Sequence, residues 1–412
     1  MRKGENWYAW GSFQLIREAL AEPPTSWLNT DGENLDLDKR NIKKCKRKIC
    51  DGNYTVAVRV LSSSGVAPYN DVTLEDFNAK HPFKPAPSLP HIPIDHHQLI
   101  ASNVVVLYMI KSFSHGTSCG RDGLHAQYLM DCLSGAVVAI SDELVAFITQ
   151  VVNLFLDGKC PKMLGKYISS APLMPLVKPG GGIRPIVVGT VWRHLVSKFG
   201  LGVSGGGEAI LHAVNRLIED RGDDVGLSML LVDLKNAFNL VDREVMLQEI
   251  RLRCPAISHW VKFCYSNPAR LYYGQHTLWS YQGVQQGDPL GPLLFALVLH
   301  PLICKIRDSF SISFQAWYLD DGTIIGDTLV VEKILELVME DGPHCGLHLN
   351  VDKTKIGSPE YGVKLLGRPV SVDFDYNSEL MMKRVAKTIE LMNDVAKIND
   401  PQCELLLLRS CA

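Results

Sequence analysis

Apolar residues recur at two different spacings along this chain, and the alternation between them sets out its elements. In SDELVAFITQVVNLFLDG they fall at 144, 147, 148, 151, 152 and 155, the step of an amphipathic helix, with Ser141 as N-cap, acids in the first turn and Gly158 at the end. ISSAPLMPLVKPGGGIRPIVV then predicts two short strands joined by a glycine turn, and GGGEAILHAVNRLIED returns to helical spacing. LSMLLVDLKNAF reads as a buried strand running into a turn, which puts Asp233 where the strand's carboxyl end meets solvent. VDREVMLQEIRLR resumes as a helix, and the tail from ELMMKRVAKTIELMNDVAKI to LLLLRSCA reads as helices. HPFKPAPSLPHIP, residues 81–93, cannot hold a helix and reads as an extended linker, predicting a boundary near residue 95. The pattern is mixed α and β, without an internal repeat.

Composition narrows this picture. With 412 residues, 46% of them hydrophobic, the chain can bury real cores. Its 11 cysteines form no CxxC pair and no zinc-module spacing, which suits reduced thiols inside a cell and predicts no zinc site. The most hydrophobic run, LLFALVLHPLI, is short and carries His300 and Pro301, so no membrane segment is expected. A net charge of −2 argues mildly against a nucleic-acid partner, yet the average hides a basic block. From Gly158 to Gly207 there is no acid, while Lys159, Lys162, Lys166, Lys178, Arg184, Arg193 and Lys198 fall inside that span. KRNIKKCKRK, residues 39–48, is a second basic run, readable as a phosphate grip, a nuclear signal or a solvated face.

The chemistry points to AWYLDDGTII, residues 316–325. An Asp-Asp pair alone means little, and the chain's other pair, Asp223 and Asp224 in DRGDDVGL, reads as a solvated loop. Here the apolar flanks predict a hairpin with Asp-Gly at its turn, which leaves a second carboxylate in need of water or a cation. Mg²⁺ takes hard oxygen ligands from one or two carboxylates plus substrate phosphates, so a third acid from another strand would complete a phosphoryl-transfer site. Asp233 is the candidate.

Five segments in order, VDLKNAFNLVDR, GVQQGDPLGPLLF, YLDDG, GLHLNVDKTKI and KLLGRP, resemble the successive palm motifs of reverse transcriptases, especially those of non-long-terminal-repeat retrotransposons. KPGGGIRPIVVGTVWRHLVSK resembles the fingers motif that precedes them, and SSSGVAPYN and KHP look similar to flanks of the same elements. The resemblance covers roughly residues 115–370. It implies an α+β right-hand polymerase: an N-terminal helical extension and Pro-rich linker over 1–95, fingers over 96–225, a palm of antiparallel sheet with packed helices over 226–362, and a palm–thumb junction with a partial helical thumb over 363–412.

The same resemblance implies RNA-directed DNA synthesis with two Mg²⁺ ions, Mn²⁺ being an alternative, on an RNA template and a DNA or RNA primer, using deoxynucleoside triphosphates. Asp233 and Asp320 are carried over as metal ligands, with Asp321 as third member. Phe238 falls where an aromatic excludes the ribose 2′-hydroxyl; the other reading is a core phenylalanine. Gln286 and Gly287 would pass beside the templating base pair, and Asp288 before Pro289 also reads as a helix N-cap. Lys178 and Arg184 would reach the triphosphate, or else be solvated hairpin charges. Lys353 matches the lysine that protonates departing pyrophosphate, or is a surface lysine. Rival readings are a catalytically inactive fold that holds RNA, and a metal-dependent nuclease or phosphatase. No endonuclease, ribonuclease H or cysteine-rich finger is expected, so the chain reads as a fragment with a shortened thumb.

Overall fold

The computed structural model describes residues 37–88, 99–134, 138–179, 181–200, 206–222, 224, 226–358 and 360–411. The boundary near residue 95, the later part of the proline-rich linker and Asp223 lie outside the described residues. In chain order the strands are β1 (Ala171–Val177), β2 (Ile183–Val187), β3 (Leu227–Asp233), β4 (Ala269–Tyr273), β5 (His276–Ser280), β6 (Phe314–Tyr318), β7 (Asp321–Asp327), β8 (Lys355–Gly357), β9 (Val363–Leu365) and β10 (Arg368–Val370). The chain divides into two compact units, each discontinuous in sequence: 1–201, 247–291 and 395–412 form one, and 202–246 with 292–394 the other.

The first unit is built on a sheet of order β2-β1-β4-β5. β1 and β2 form the expected hairpin, pairing Val177 with Ile183 around the glycines, where Lys178 N–H donates to the Gly182 carbonyl at 3.0 Å. β1 runs parallel to β4 at Ala171 and Leu271, and β4 is antiparallel to β5. Alternate residues of β1 and β2 face inward, so Ala171, Leu173, Ile183 and Val187 bury against Phe77, Leu271 and Leu278. Each such Leu, Ile or Val contributes about 1.5–3 kcal/mol by leaving water.

The helix read at SDELVAF begins earlier, at Val138, so Ser141 is not its cap. Val138, Ala139 and Ile140 contain no helix breaker, and nothing obliges the chain to start at the serine. Of the predicted apolar face, Ile148, Val152 and Phe155 are buried while Phe147 is exposed. The basic run 39–48 forms most of the helix Leu37–Cys50, which buries Asn41, Cys45 and Ile49 along one face. Those last two pack with Ala57, Leu61, Val395, Ile398 and Leu407, leaving Lys43, Lys44 and Arg47 exposed.

The second unit holds an antiparallel sheet of order β6-β7-β3-β8. β3 is nearly continuous in burial because both of its faces are covered. On one side the helix Gly206–Arg221 brings Leu211, Val214 and Ile218 against Leu227, Met229 and Ile325, and the β9–β10 hairpin adds Val363, Leu365 and Val370. The helix Thr328–Asp341 also packs on β3 and β7 and buries Val331, Ile334 and Val338; Asp327 caps it by accepting from Leu329 N–H at 3.0 Å. The run LLFALVLHPLI lies inside the helix Gly291–Ser309, and among the described residues no helix is long and apolar enough to cross a membrane. The tail forms helices Phe374–Ala396 and Pro401–Cys411.

Candidate active site

β3 and β7 are the two inner strands of the second unit's sheet, and their register sets Asp233 directly opposite Asp321. Side chains of directly opposed residues project from the same face, a few ångströms apart, where two carboxylates repel each other. Asp320 adjoins this pair as the last residue before β7. The carboxylates disfavour one another's ionisation: the Asp321 carboxyl is pushed up to about 6, first by desolvation, then by the charges of Asp320 and Asp233, with Lys353 opposing the rise. Asp321 is exposed as a residue, yet its carboxyl end is partly removed from water and turned into the field of the other acids.

The hairpin turn is not where the Asp-Gly dipeptide suggested. Tyr318 pairs with Asp321 and Trp317 with Gly322, so the two-residue turn is Leu319–Asp320, and Asp321-Gly322 already belongs to β7. Leu319 takes φ +57°, a left-handed conformation that costs a leucine about 1 kcal/mol. Gly322 serves packing instead of turning: a Cβ there would stand 2.6 Å from the Trp317 ring across the strand pair. The displaced turn carries Asp320 at its tip and leaves Asp321 in the ladder opposite Asp233.

The segment following the turn Gly342–Cys345 answers how this charge is tolerated. Lys353 Nζ lies 3.8 Å from Asp233 Oδ2, and Asn350 Nδ2 donates to Asp233 Oδ1 at 2.7 Å. The backbone of the same segment is stapled to the strand end, since Lys235 N–H donates to the His348 carbonyl at 2.7 Å and Asn350 N–H to the Asp233 carbonyl at 2.8 Å. Asp233, Asp321 and Lys353 border an open groove of about 910 Å³ that continues past Lys355, Tyr361 and Lys364. Among the described residues no group of three or more His, Cys, Asp or Glu side chains gathers closely enough to make a metal cage. The oxygen-only donors suit Mg²⁺, which keeps several waters and substrate phosphates and is held by one or two carboxylates.

Phe238 follows Asp233 through the short helix Ala237–Leu240 and stacks on Phe295, with ring centroids 5.0 Å apart at 25°. It is half-buried, so one side of the ring is packed while the rest stays accessible. This arrangement suits either reading of the residue.

The other predicted residues belong to the first unit. Gln286 and Gly287 lie against β2, whose Val187 N–H donates to the Gln286 carbonyl at 2.7 Å. Gly287 has φ +122°, and a Cβ would stand 2.2 Å from the Val187 oxygen, so only glycine lets the backbone come this close. Lys178 and Arg184 are both exposed on the β1–β2 hairpin, Arg184 pairing with Leu176.

Asp288 departs from its expected cap role. One oxygen accepts from Leu290 N–H at 3.0 Å, but the helix begins only at Gly291, and the other oxygen enters a buried ion pair. Arg193 reaches it through Nε at 3.1 Å and Nη2 at 2.8 Å, Tyr265 donates to it at 2.7 Å, and Arg193 also hydrogen-bonds Gln285 and the Ser169 carbonyl. Burial alone would raise the Asp288 carboxyl; the Arg193 guanidinium and the Tyr265 hydroxyl hold it below its usual value. The basic block therefore loses Arg193 as a surface charge. Lys198 is drawn in as well, donating to Ser112 and lying over the Phe113 ring, and burial lowers its pKa. Asn350 and the Arg193–Asp288 pair are not legible in the sequence because their partners lie 117 and 95 residues away, respectively.

Residues 213–370 match the reverse transcriptase (RNA-dependent DNA polymerase) family model. The matched span contains Asp233, Phe238, Gln286, Gly287, Asp320, Asp321 and Lys353, and begins after the fingers-like motif with Lys178 and Arg184. The chain is also similar to the retrotransposable element SLACS 132 kDa protein of Trypanosoma brucei gambiense, with 24% identity over 266 residues, 60% of this chain and 22% of that protein. It spans about a fifth of that relative's length. Residues 213–370 are thus a reverse transcriptase domain, in a chain similar to a retrotransposable-element protein.

Proposed function

We propose that this chain is an RNA-directed DNA polymerase, in which a primer 3′-hydroxyl attacks the α-phosphorus of a deoxynucleoside triphosphate and pyrophosphate leaves. The observation that carries this reading is the register pairing of Asp233 with Asp321, beside Asp320, at the mouth of a groove inside the reverse transcriptase match. Asp233, Asp320 and Asp321 would hold two divalent cations, Mg²⁺ or Mn²⁺. When bound, such ions supply Lewis-acid stabilisation of the charge that develops on the attacking and leaving oxygens.

The chain's own residues have distinct tasks in this scheme. Asp233 and Asp321 present carboxylate oxygens on one face of the sheet, and Asn350 holds the first of them in orientation. Lys353 brings an Nζ proton toward the departing pyrophosphate. Phe238 sets a wall against a ribose 2′-hydroxyl. Lys178 and Arg184 bind triphosphate oxygens, Arg184 with a forked donor, and the Gln286–Gly287 turn passes beside the templating pair. The β3-centred sheet is read as the palm, the β1–β2 hairpin as part of the fingers, and the two C-terminal helices as a partial thumb. Lys355, Lys364 and Tyr361 along the groove suit a phosphate backbone with a stacked base, the path we assign to the primer.

Primer extension on an RNA template tests the proposal, at low salt so that weak phosphate affinity does not mask the chemistry. Incorporation should require template, Mg²⁺ and deoxynucleotides, and vanish in Asp233→Asn and Asp320→Asn. Template binding by a folded protein with no incorporation under any divalent cation would overturn it.

A further inference from the structure

We infer that Asn350 is the positioning residue for Asp233: it turns one carboxylate oxygen toward its own amide so that the other is left to a cation, without neutralising the charge. The inference rests on the proposed reading of Asp233 as a metal ligand and extends it to a residue that touches neither substrate nor reacting atoms.

Both ends of Asn350 meet Asp233. Its backbone N–H donates to the Asp233 carbonyl at 2.8 Å, extending the pairing that the Leu234–Leu349 bridge begins, and its Nδ2 donates to Asp233 Oδ1 at 2.7 Å. An ionised carboxylate only accepts, so the group facing Oδ1 must be the amide donor. Lys353 N–H and Thr354 N–H both donate to the Asn350 carbonyl, at 3.1 and 2.8 Å, and close the segment into a tight turn that fixes the backbone from which the amide projects. Thr354 Oγ1 accepts from Asp233 N–H at 3.2 Å, so the strand end is held from both sides of the turn. With Oδ1 occupied, Oδ2 is the oxygen that meets the positive charge of Lys353 at 3.8 Å.

The chemistry of the alternatives shows why an amide suits this place. An acid at 350 would face Asp233 with like charge, and a lysine or arginine there would add a second positive charge to the one Lys353 already brings to Oδ2. A neutral donor orients the carboxylate and leaves its full charge to the metal, as outer hydrogen-bond partners of metal ligands commonly do, where their loss costs about 10–100-fold in affinity or activity.

The test is a Mn²⁺ titration of the full chain without nucleic acid, read as free Mn²⁺ by electron paramagnetic resonance, alongside thermal melting and single-turnover extension. Asn350→Ala keeps the backbone staple and removes only the amide. Its Mn²⁺ affinity should fall about tenfold or more, with kcat falling more than KM for deoxynucleotide changes and the melting temperature staying at the wild-type value. Asp233→Asn should weaken Mn²⁺ at least as much. Wild-type Mn²⁺ affinity and kcat in Asn350→Ala, while Asp233→Asn loses both, would overturn the positioning role and leave the polymerase reading standing. A lowered melting temperature with unchanged affinity per folded molecule would assign Asn350 to the fold and overturn it too. If Asp233→Asn binds Mn²⁺ as wild type does, the metal reading itself fails and this inference falls with it.

Discussion

Arg193 and Asp288 form an ion pair whose side chains are each 1% exposed, with Arg193 Nη2 2.8 Å from Asp288 Oδ2. So buried a pair is weak evidence of net stabilisation, but breaking it strands a charge away from water, at about 3–5 kcal/mol. Asp288→Asn and Arg193→Met should each lower the urea-unfolding free energy by that order. The double variant Arg193→Met/Asp288→Leu should recover part of the loss, because no unpaired charge remains. Asp288 has a lowered folded pKa, so its contribution is present above the ordinary carboxylate range and is lost as pH falls through the folded value. Single variants that unfold no more easily than wild type would show that the pair is solvated in solution.

Asp321 carries the opposite sign. Its carboxyl is raised from 3.8 to about 6, so between those values the folded protein keeps a proton that the unfolded chain has released. Stability without metal should therefore fall as pH rises across that window, and Asp321→Asn should remove this part of the slope. At pH 7.5 and without divalent ions, the asparagine variant should melt a few degrees above wild type while extending no primer. Parallel melting curves for the two proteins from pH 4 to 7 would contradict the coupling among the three acids.

Gly287 and Gly181 offer a matched comparison. Both take positive φ, +122° and +97°, but a Cβ at 287 would strike the Val187 oxygen at 2.2 Å whereas nothing lies within 4 Å of one at 181. Gly181→Ala should cost only backbone strain, about 1 kcal/mol. Gly287→Ala must also push the turn off β2 and break the Val187–Gln286 hydrogen bond, so its cost should be about 2 kcal/mol or more. Urea midpoints measure the difference, and in extension assays only the change at 287 should raise KM for the incoming nucleotide. Equal effects would show that the close approach to β2 matters neither to folding nor to the site.

The elements that could be read from the chain were those whose signal is local. The β1–β2 hairpin shows as alternation around glycines, and Asp233 shows as the polar end of an apolar strand; both are found as expected. The turn at Leu319–Asp320 was hidden because strand register, set by Trp317 packing over Gly322, overrides the dipeptide's own preference. Arg193 looked like surface charge because nothing adjacent in sequence announces Asp288, Tyr265 or Gln285 as its partners. Asn350 stood in plain view in LNVDKTK, yet only the antiparallel return of the chain makes it a neighbour of Asp233.

Phe238 is the residue on which sugar choice depends in the proposed reaction. Its ring leans on Phe295 at 5.0 Å and is otherwise half-exposed, a rigid wall with one packed side. Truncation to alanine would remove the wall and the stack together, so the expected result has two parts. Discrimination against ribonucleotides should drop by tenfold or more, equivalent to about 1.4 kcal/mol of lost selectivity, because nothing then meets the 2′-hydroxyl. Stability should fall too, since the loss includes a packed aromatic pair worth about 0.5–1.5 kcal/mol beyond its buried area. Phe238→Leu separates the effects by restoring bulk without the ring. If leucine recovers the melting temperature and most of the discrimination, the side chain acts by volume; if alanine loses stability while ribonucleotides remain excluded, Phe238 is a core residue and the gate lies elsewhere.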